Sequence, residues 1–270
     1  MPHSNLENSV PIALTIAGSD PSGGAGLQAD LKTFSSLGIF GMTAITALTI
    51  GNTTGVYDII KMDPATVCRQ VRAVIDDIQP KSIKTGLTGS KEVILNVANL
   101  IEEHASCPLI VDPVMATKRG DILASNNEVS AYQSYLLPQA EIVTPNIPEA
   151  ELLAGMTIPS PNAMPKAAKK IKDLGCKSVV IKGGYFDDWS DSNDLFYDGK
   201  ELNWLNSSRI ASKHTHGSGD VFSAAITANL AKNKTLFESV QQAKKIVTKA
   251  IHSAPKLGQG QGPVGYSFKQ

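Results

Sequence analysis

Short apolar, β-branched bursts recur along this chain between segments of helical period, and that alternation constrains its fold more than any other feature. The bursts cover residues 12–17, 43–50, 109–111, 141–144 and 178–182. Strands apolar on both faces leave no side for water, so they predict an α/β protein with a mainly parallel sheet covered by helices on both faces. Helix starts are written between them. Asp63-Pro64 is a capping residue followed by proline at the first helical position, and Ser90 precedes Val93, Val97 and Leu100. Two further helices are predicted over 162–174 and 235–251. From 187 to 205, Asp-, Asn- and Ser-rich turns flank Leu195-Phe196-Tyr197 and residues 202–205, which read as short antiparallel strands. They append to the sheet and give no reason for a second domain, so residues 1–270 are expected to form one. The glycine-rich stretch 258–265 reads as a mobile loop.

Composition narrows the function. With 270 residues, 42% hydrophobic and 19% charged, the chain can bury a substantial core, which excludes disorder, collagen and a small disulfide scaffold. Lysine plus arginine matches aspartate plus glutamate, 25 against 25, so no long-range field draws it to nucleic acid or an anionic membrane. Any anion site must be local, built from backbone and a few side chains. Cys68, Cys107 and Cys176 are odd in number and far apart, which argues against disulfides or structural zinc and suits a reducing cytoplasm. Residues 1–10 show no secretory pattern. The longest weakly polar run, 39–50, falls short of the roughly 20 residues of a membrane helix.

Three segments carry possible chemistry. The first, Ala17-Gly18-Ser19-Asp20-Pro21-Ser22-Gly23-Gly24-Ala25-Gly26, lies between a strand and a helix whose apolar face is Leu27, Leu31, Phe34 and Leu37. Its glycines let backbone approach a ligand, and the helix start favours an electron-rich group. Gly24-Ala25-Gly26-Leu27-Gln28-Ala29 satisfies the dinucleotide pattern G-x-G-x-x-A, but residues 40–56 hold no acid to bind a ribose. A tight turn without a ligand remains the alternative. The second segment, His214-Thr215-His216-Gly217-Ser218-Gly219-Asp220, opens a helix apolar on nearly all sides, and hence buried, whose first N–H groups form an anion cradle. A carboxylate there repels a passively bound phosphate but is well placed to take a proton from an attacking hydroxyl. Asp220 reads either so or as an ordinary first-turn acid. A metal site on His214 and His216 lacks a third ligand.

The third segment is Thr144-Pro145-Asn146-Ile147-Pro148-Glu149. Asn146 and Glu149 either face a water-filled cleft as magnesium ligands or form a helix cap. Asp112-Pro113 and Lys182-Gly183-Gly184 follow other strands, where open α/β sheets place their ligands. No Walker A or protein-kinase signature occurs, so a phosphoryl transferase here is of another lineage.

In order, the run from Ala13 through Asp30 to Phe34, then Lys84-Thr85-Gly86, Asp112-Pro113-Val114-Met115, Thr144-Pro145-Asn146 with Glu149, Lys182-Gly183-Gly184, Thr215-His216-Gly217 and Leu257-Gly258-Gln259-Gly260-Gln261-Gly262-Pro263 resemble the hydroxymethylpyrimidine and hydroxymethylpyrimidine-phosphate kinases of thiamine biosynthesis, in the ribokinase-like superfamily. The resemblance implies a three-layer α/β/α sandwich in which ATP with Mg2+ phosphorylates a hydroxymethyl group on a heteroaromatic ring, and then the monophosphate. It implies that Gly217, Ser218 and Gly219 line the anion hole and that Asp220 is the base. Glu149 and Asp112 would serve the metal, with Asn146 organising its waters. Thr144, Asn146, Lys182, Gly184 and His216 fall on the ATP side, and Ala25, Asp30, Gly51, Leu87 and Val114 at the pyrimidine pocket. Relatives are commonly homodimers.

Two positions depart from that pattern. Asp220 stands where the pyrimidine kinases usually carry cysteine, and is the choice of ribokinases and pyridoxal kinases. Gly51 stands where they typically have glutamine for the aminopyrimidine. The rival substrates are therefore pyridoxal, pyridoxine and pyridoxamine. The segment Ala116-Thr117-Lys118-Arg119-Gly120-Asp121 lacks the cysteine those B6 kinases tend to carry there, which favours the pyrimidine. A catalytically silent vitamin-binding protein is the reading from another class, and the presence of Asp220, Glu149 and both glycine turns speaks against it.

Overall fold

Every predicted burst pairs into one nine-stranded sheet. The computed structural model describes residues 10–116, 122–186 and 189–267. In chain order the elements are β1 (Ile12–Ser19), α1 (Gly26–Ser36), β2 (Phe40–Asn52), β3 (Gly55–Lys61), α2 (Pro64–Ile78), β4 (Ser82–Thr85), α3 (Lys91–His104), β5 (Leu109–Val111), α4 (Asn126–Ala131), β6 (Ile142–Val143), α5 (Ile147–Ala154), α6 (Met164–Lys172), β7 (Val179–Ile181), β8 (Asp194–Tyr197), β9 (Leu202–Leu205), α7 (Ser218–Ala231) and α8 (Leu236–His252). The strand order is β3-β2-β1-β4-β5-β6-β7-β8-β9. The six strands from β2 to β7 in that order are parallel, β3 at one edge and β8 near the other run against them, and β9 pairs antiparallel with β8.

Alternation along the buried strands separates two cores. Ile83, Leu109, Val111, Val143 and Ile181 pack with α2, α3, α5 and α6 on one face. Ile110, Ile142 and Val180 pack with α7 and α8 on the other, and Ala13 with α1 and α7. This is the expected three-layer sandwich with a mainly parallel sheet. The local signals act as their chemistry dictates. Asp63 accepts from the Thr66 amide at 2.9 Å with Pro64 opening α2, and Ser90 accepts from the Val93 amide at 3.2 Å to open α3. Each such cap is worth about 1 kcal/mol.

The structure adds two strands and corrects one expectation. β4 is four residues long and wholly buried, but its lysine and two hydroxyl residues disguise it as polar. β3 is a sheet edge whose Val56, Tyr57 and Ile60 are exposed, so it lacks an apolar burst's pattern. The stretch 258–265, read as a mobile loop, is strapped across the molecule. Gln261 donates its amide to the Thr53 carbonyl at 2.7 Å and its side-chain Nε2 to Thr215 Oγ1 at 2.8 Å, and Val264 is fully buried. A Cβ on Gly260 would lie 2.0 Å from the Thr53 carbonyl oxygen, so that glycine serves close approach rather than mobility. Residues 117–121, which hold the Lys118-Arg119 pair, lie outside the described residues. Among the described residues no helix is long and apolar enough to cross a membrane.

Candidate active site

The ends of β1, β4, β5, β6 and β7 bring Ser19, Lys84, Asp112, Thr144 and Lys182 to one side of the sheet, where α1 and α7 begin. The two glycine turns meet there. Gly217 has φ +77°, and a Cβ on it would lie 1.8 Å from the Gly24 carbonyl oxygen. Gly26 has φ +58°, and a Cβ there would lie 2.4 Å from the Gly18 carbonyl oxygen. Gly26, the second glycine of the dinucleotide-like pattern, and Gly217 thus serve backbone packing.

Asp20 and His216 join the same two turns. Asp20 Oδ2 accepts from the Ala25 amide at 2.9 Å and Ser22 Oγ at 2.7 Å, and lies 2.8 Å from His216 Nε2. Burial opposes the Asp20 charge, but the His216 and Ser22 hydrogen bonds bring its carboxyl down to about 2. The His216 side chain, expected on the ATP side, therefore faces the turn after β1. His214 points elsewhere, its ring against Gly262, so the two histidines do not converge on a metal.

At the start of α7 the Ser218 amide is committed to the Thr215 carbonyl at 3.1 Å. The cradle consequently falls to the first-turn amides of Gly219 and Asp220, which have no acceptor within their helix. The missing side chain of Gly219 admits a cation, since a Cβ there would stand 3.3 Å from Lys182 Nζ. Asp220 sits beside this cradle with its side chain 16% exposed, 3.4 Å from Lys84 Nζ.

Lys84 escaped the residue-by-residue reading. It is fully buried on β4 and donates to Asp30 Oδ1 as well as Asp220 Oδ1. Burial works against its charge, but Asp30, then Asp220 and Asp112, more than offset it and hold the ammonium above its ordinary range. Asp30, expected at the pyrimidine pocket, is itself fully buried; Thr15 Oγ1 donates to its other oxygen at 2.6 Å. Its α1 position faces the sheet, so both oxygens serve the interior. The available signal was a lysine between the β-branched Ile83 and Thr85 in Ser82-Ile83-Lys84-Thr85.

A second charged cluster surrounds Asp112. Its Oδ1 accepts from Lys182 Nζ at 3.0 Å and Thr144 Oγ1 at 3.1 Å, and its Oδ2 from Ser223 Oγ at 2.8 Å. Burial raises the Asp112 carboxyl, but Lys182 and Lys84 bring it below its usual value. Asn146 and Glu149 form the reciprocal cap of α5: Asn146 Oδ1 accepts the Glu149 amide at 2.9 Å and Glu149 Oε2 accepts the Asn146 amide at 2.8 Å. The cap does not exclude a ligand role, because it holds a buried carboxylate beside Asp112. Burial pushes Glu149 up to about 8, with Lys182 opposing and Asp112 adding to the shift. The donors are oxygens only, which suits Mg2+, although no trio of His, Cys, Asp or Glu among the described residues cages an ion directly. That chemistry fits an ion held by one or two carboxylates, water and substrate phosphates.

The remaining expected positions spread around this cleft. Leu87 lies against Gly18, Ala25 opens α1, and Val114 is half-buried after Asp112. Gly184 is exposed, with its carbonyl accepting from Arg209 Nη1 at 3.2 Å. Gly51 sits at an irregularity in the β2–β3 pairing, where a Cβ would lie 2.7 Å from the Gly55 carbonyl oxygen. Any side chain at 51, glutamine included, requires that hairpin to move.

The sequence profile of the phosphomethylpyrimidine kinase family matches residues 20–265. The chain belongs to that family. A hydroxymethylpyrimidine/phosphomethylpyrimidine kinase of Staphylococcus aureus is 42% identical over 256 residues, 94% of this chain and 93% of its own length. One of Bacillus subtilis is 41% identical over 96% of both chains. Among solved structures, a pyridoxal kinase from Staphylococcus aureus in complex with AMP-PCP and pyridoxal superposes with TM-score 0.90 at 37% identity, covering 96% of this chain and 94% of its own. A phosphomethylpyrimidine kinase from Clostridium difficile superposes with TM-score 0.79 at 38% identity, covering 89% and 99%. The family is one of kinases with a ribokinase-like fold.

The Asp20–His216 link has a measurable signature. A carboxyl lowered by folding stabilises above its unfolded value, and that contribution disappears as pH falls through the folded one. Asp20→Asn is expected to cost about 1 to 2 kcal/mol at pH 7, the half-buried setting weakening the full effect. The difference from the parent should close between about pH 4 and pH 2. Urea unfolding across that range checks it; a constant difference would remove the Asp20 charge from the account.

Proposed function

We propose that this chain transfers the γ-phosphate of ATP to the hydroxymethyl group of hydroxymethylpyrimidine, and then to its monophosphate. The observation that carries this reading is the placing of Asp220 beside the first-turn amides of α7 and Lys182, in a chain of this family. The substrate hydroxyl gives its proton to Asp220 as its oxygen bonds to the γ-phosphorus and the bond to the ADP oxygen breaks. Gly219 and Asp220 amides and the Lys182 ammonium face the charge spread over the transferring group. The Gly217–Gly24 contact fixes the cradle against the turn after β1, so acceptor and donor meet at a set separation.

Mg2+ is part of this reading. Asp112, paired with Lys182, and Glu149, whose carboxyl burial pushes up to about 8, bring two acids together on the same side of the sheet. Glu149 and Asp112 would hold the ion through oxygen and water, and it would neutralise phosphate charge there.

The second reading is phosphorylation of pyridoxal or its vitamers, favoured by superposition on the pyridoxal-bound Staphylococcus aureus enzyme and by Gly51. The enzyme acts in the cytoplasm on this proposal, in keeping with its three free thiols. It works as a homodimer through the β2–β3 edge, where Leu48, Ile50, Val56, Tyr57 and Ile60 lie exposed.

ADP release with Mg-ATP and, in parallel, hydroxymethylpyrimidine, its monophosphate, pyridoxine and pyridoxal should give the highest kcat/KM for the pyrimidines. Preference for the B6 vitamers would transfer the assignment to the second reading. Asp220→Asn should lower kcat by roughly 100- to 10,000-fold while ADP binding by calorimetry stays within about twofold; unchanged turnover would remove the base. Sedimentation at micromolar concentration should show twice the chain mass, and Tyr57→Asp should yield monomer. A parent that sediments as monomer overturns the dimer.

A further inference from the structure

We propose that Lys84 is a positioning residue for phosphoryl transfer, its buried ammonium tying the Asp220 carboxylate of α7 to Asp30 of α1. The proposal rests on the reading of Asp220 as base. Lys84 lies in the middle of the sheet, in register with Thr15 of β1 and Ile110 of β5, and is fully buried. A lysine in such a place needs a counter-ion, and Asp30 supplies one by itself, its second oxygen being held by Thr15. The 3.4 Å contact with Asp220 therefore goes beyond what burial of the charge requires.

The two carboxylates come from elements on the same face of the sheet, α1 and α7, and the ammonium between them belongs to neither. Anchored at Asp30, it gives Asp220 a fixed point at the mouth of the cleft. Asp112 at the end of β5, Lys182 at the end of β7 and Tyr266 in the C-terminal segment also face this group, within electrostatic reach of Lys84 or Asp220. The charge count suits proton uptake. With both acids ionised the trio carries one excess negative charge, and once Asp220 holds the hydroxyl proton the remaining Asp30–Lys84 pair is balanced. No unmatched cation is left behind.

The test removes the pair as a neutral unit, Asp30→Asn with Lys84→Met, so that no lone buried charge remains. Lys84→Gln, whose amide still donates to both carboxylates, is the second variant. Each is assayed with Mg-ATP and the preferred acceptor, alone and together with Asp220→Asn. Alone, the paired substitution should lower kcat by roughly 100-fold, the cost of a base displaced by about an ångström, and Lys84→Gln, which keeps a donor for Asp220, by no more than about tenfold, each with KM for ATP within about threefold. Combined with Asp220→Asn, neither should lower the residual turnover by more than about twofold, because Lys84 acts through that side chain. A role confined to packing lowers turnover equally in both backgrounds and overturns the proposal. Unfolding of both variants below the assay temperature also assigns Lys84 to the fold and overturns it. Full turnover in Asp220→Asn itself is the separate result that removes the base, and the present proposal with it.

Discussion

The contact between Gly217 and the Gly24 carbonyl is the constraint on which the site depends. One turn follows the first strand and the other opens the seventh helix, almost two hundred residues later, and their backbones meet with no room for a Cβ. Asp20 and His216 link the same turns from one side, and Tyr266 Oη donates to the Gly24 carbonyl at 2.7 Å from another. What this closure produces is distance. The first-turn amides of α7 are held at a fixed place over the ends of the parallel strands, and preorganised donors cost no reorganisation when charge develops. The glycine-rich strap 258–265 closes the arrangement from outside, joining the hairpin tip at Thr53 to the segment that leads into the cradle.

Electrostatics decide what such a cleft can do. Lys84 and Lys182 are each matched to a buried aspartate, and removal of one partner from a pair of this kind costs about 3 to 5 kcal/mol by leaving a stranded charge. The pairs are therefore fixtures of the site rather than adjustable groups. Asp220 and Glu149 remain as carboxylates beyond the two matched pairs, one beside the cradle and one beside Asp112. That division agrees with a proton acceptor on the acceptor side and an oxygen ligand for a cation on the nucleotide side. It also explains the neutral overall charge: an anion is attracted here by local groups, and no field over the whole surface is needed.

Most of the architecture was legible in the sequence, because buried parallel strands must be apolar on both faces and helix ends must satisfy their amides. β1, β2, β5, β6 and β7 follow from the first rule, and the starts of α2 and α3 from the second. β4 was not legible, because its one charge is neutralised by residues far away in sequence. β3 was not, because an edge strand with an exposed face lacks the pattern of a buried one. The capping pattern of Asn146 and Glu149 was equally visible as a cap or as a ligand pair, and the structure shows the cap while leaving the carboxylate buried beside Asp112.

By itself the sequence determined the layered α/β fold, the two glycine turns, the acid that follows the second of them and the family to which such an order of motifs belongs. Those features are local: they depend on side-chain period, on backbone freedom at glycine and on short spacings along the chain. Only the tertiary structure decided which charges meet. Asp30 and His216, expected at ligands, turn to Lys84 and Asp20, and the glycine strap expected to move is held at Thr53 and Thr215. The physical reason is that a buried charge or an orphan carbonyl is satisfied by whatever the packed elements bring within about 3 Å, and that partner is fixed by the crossing of strands and helices rather than by neighbours in sequence.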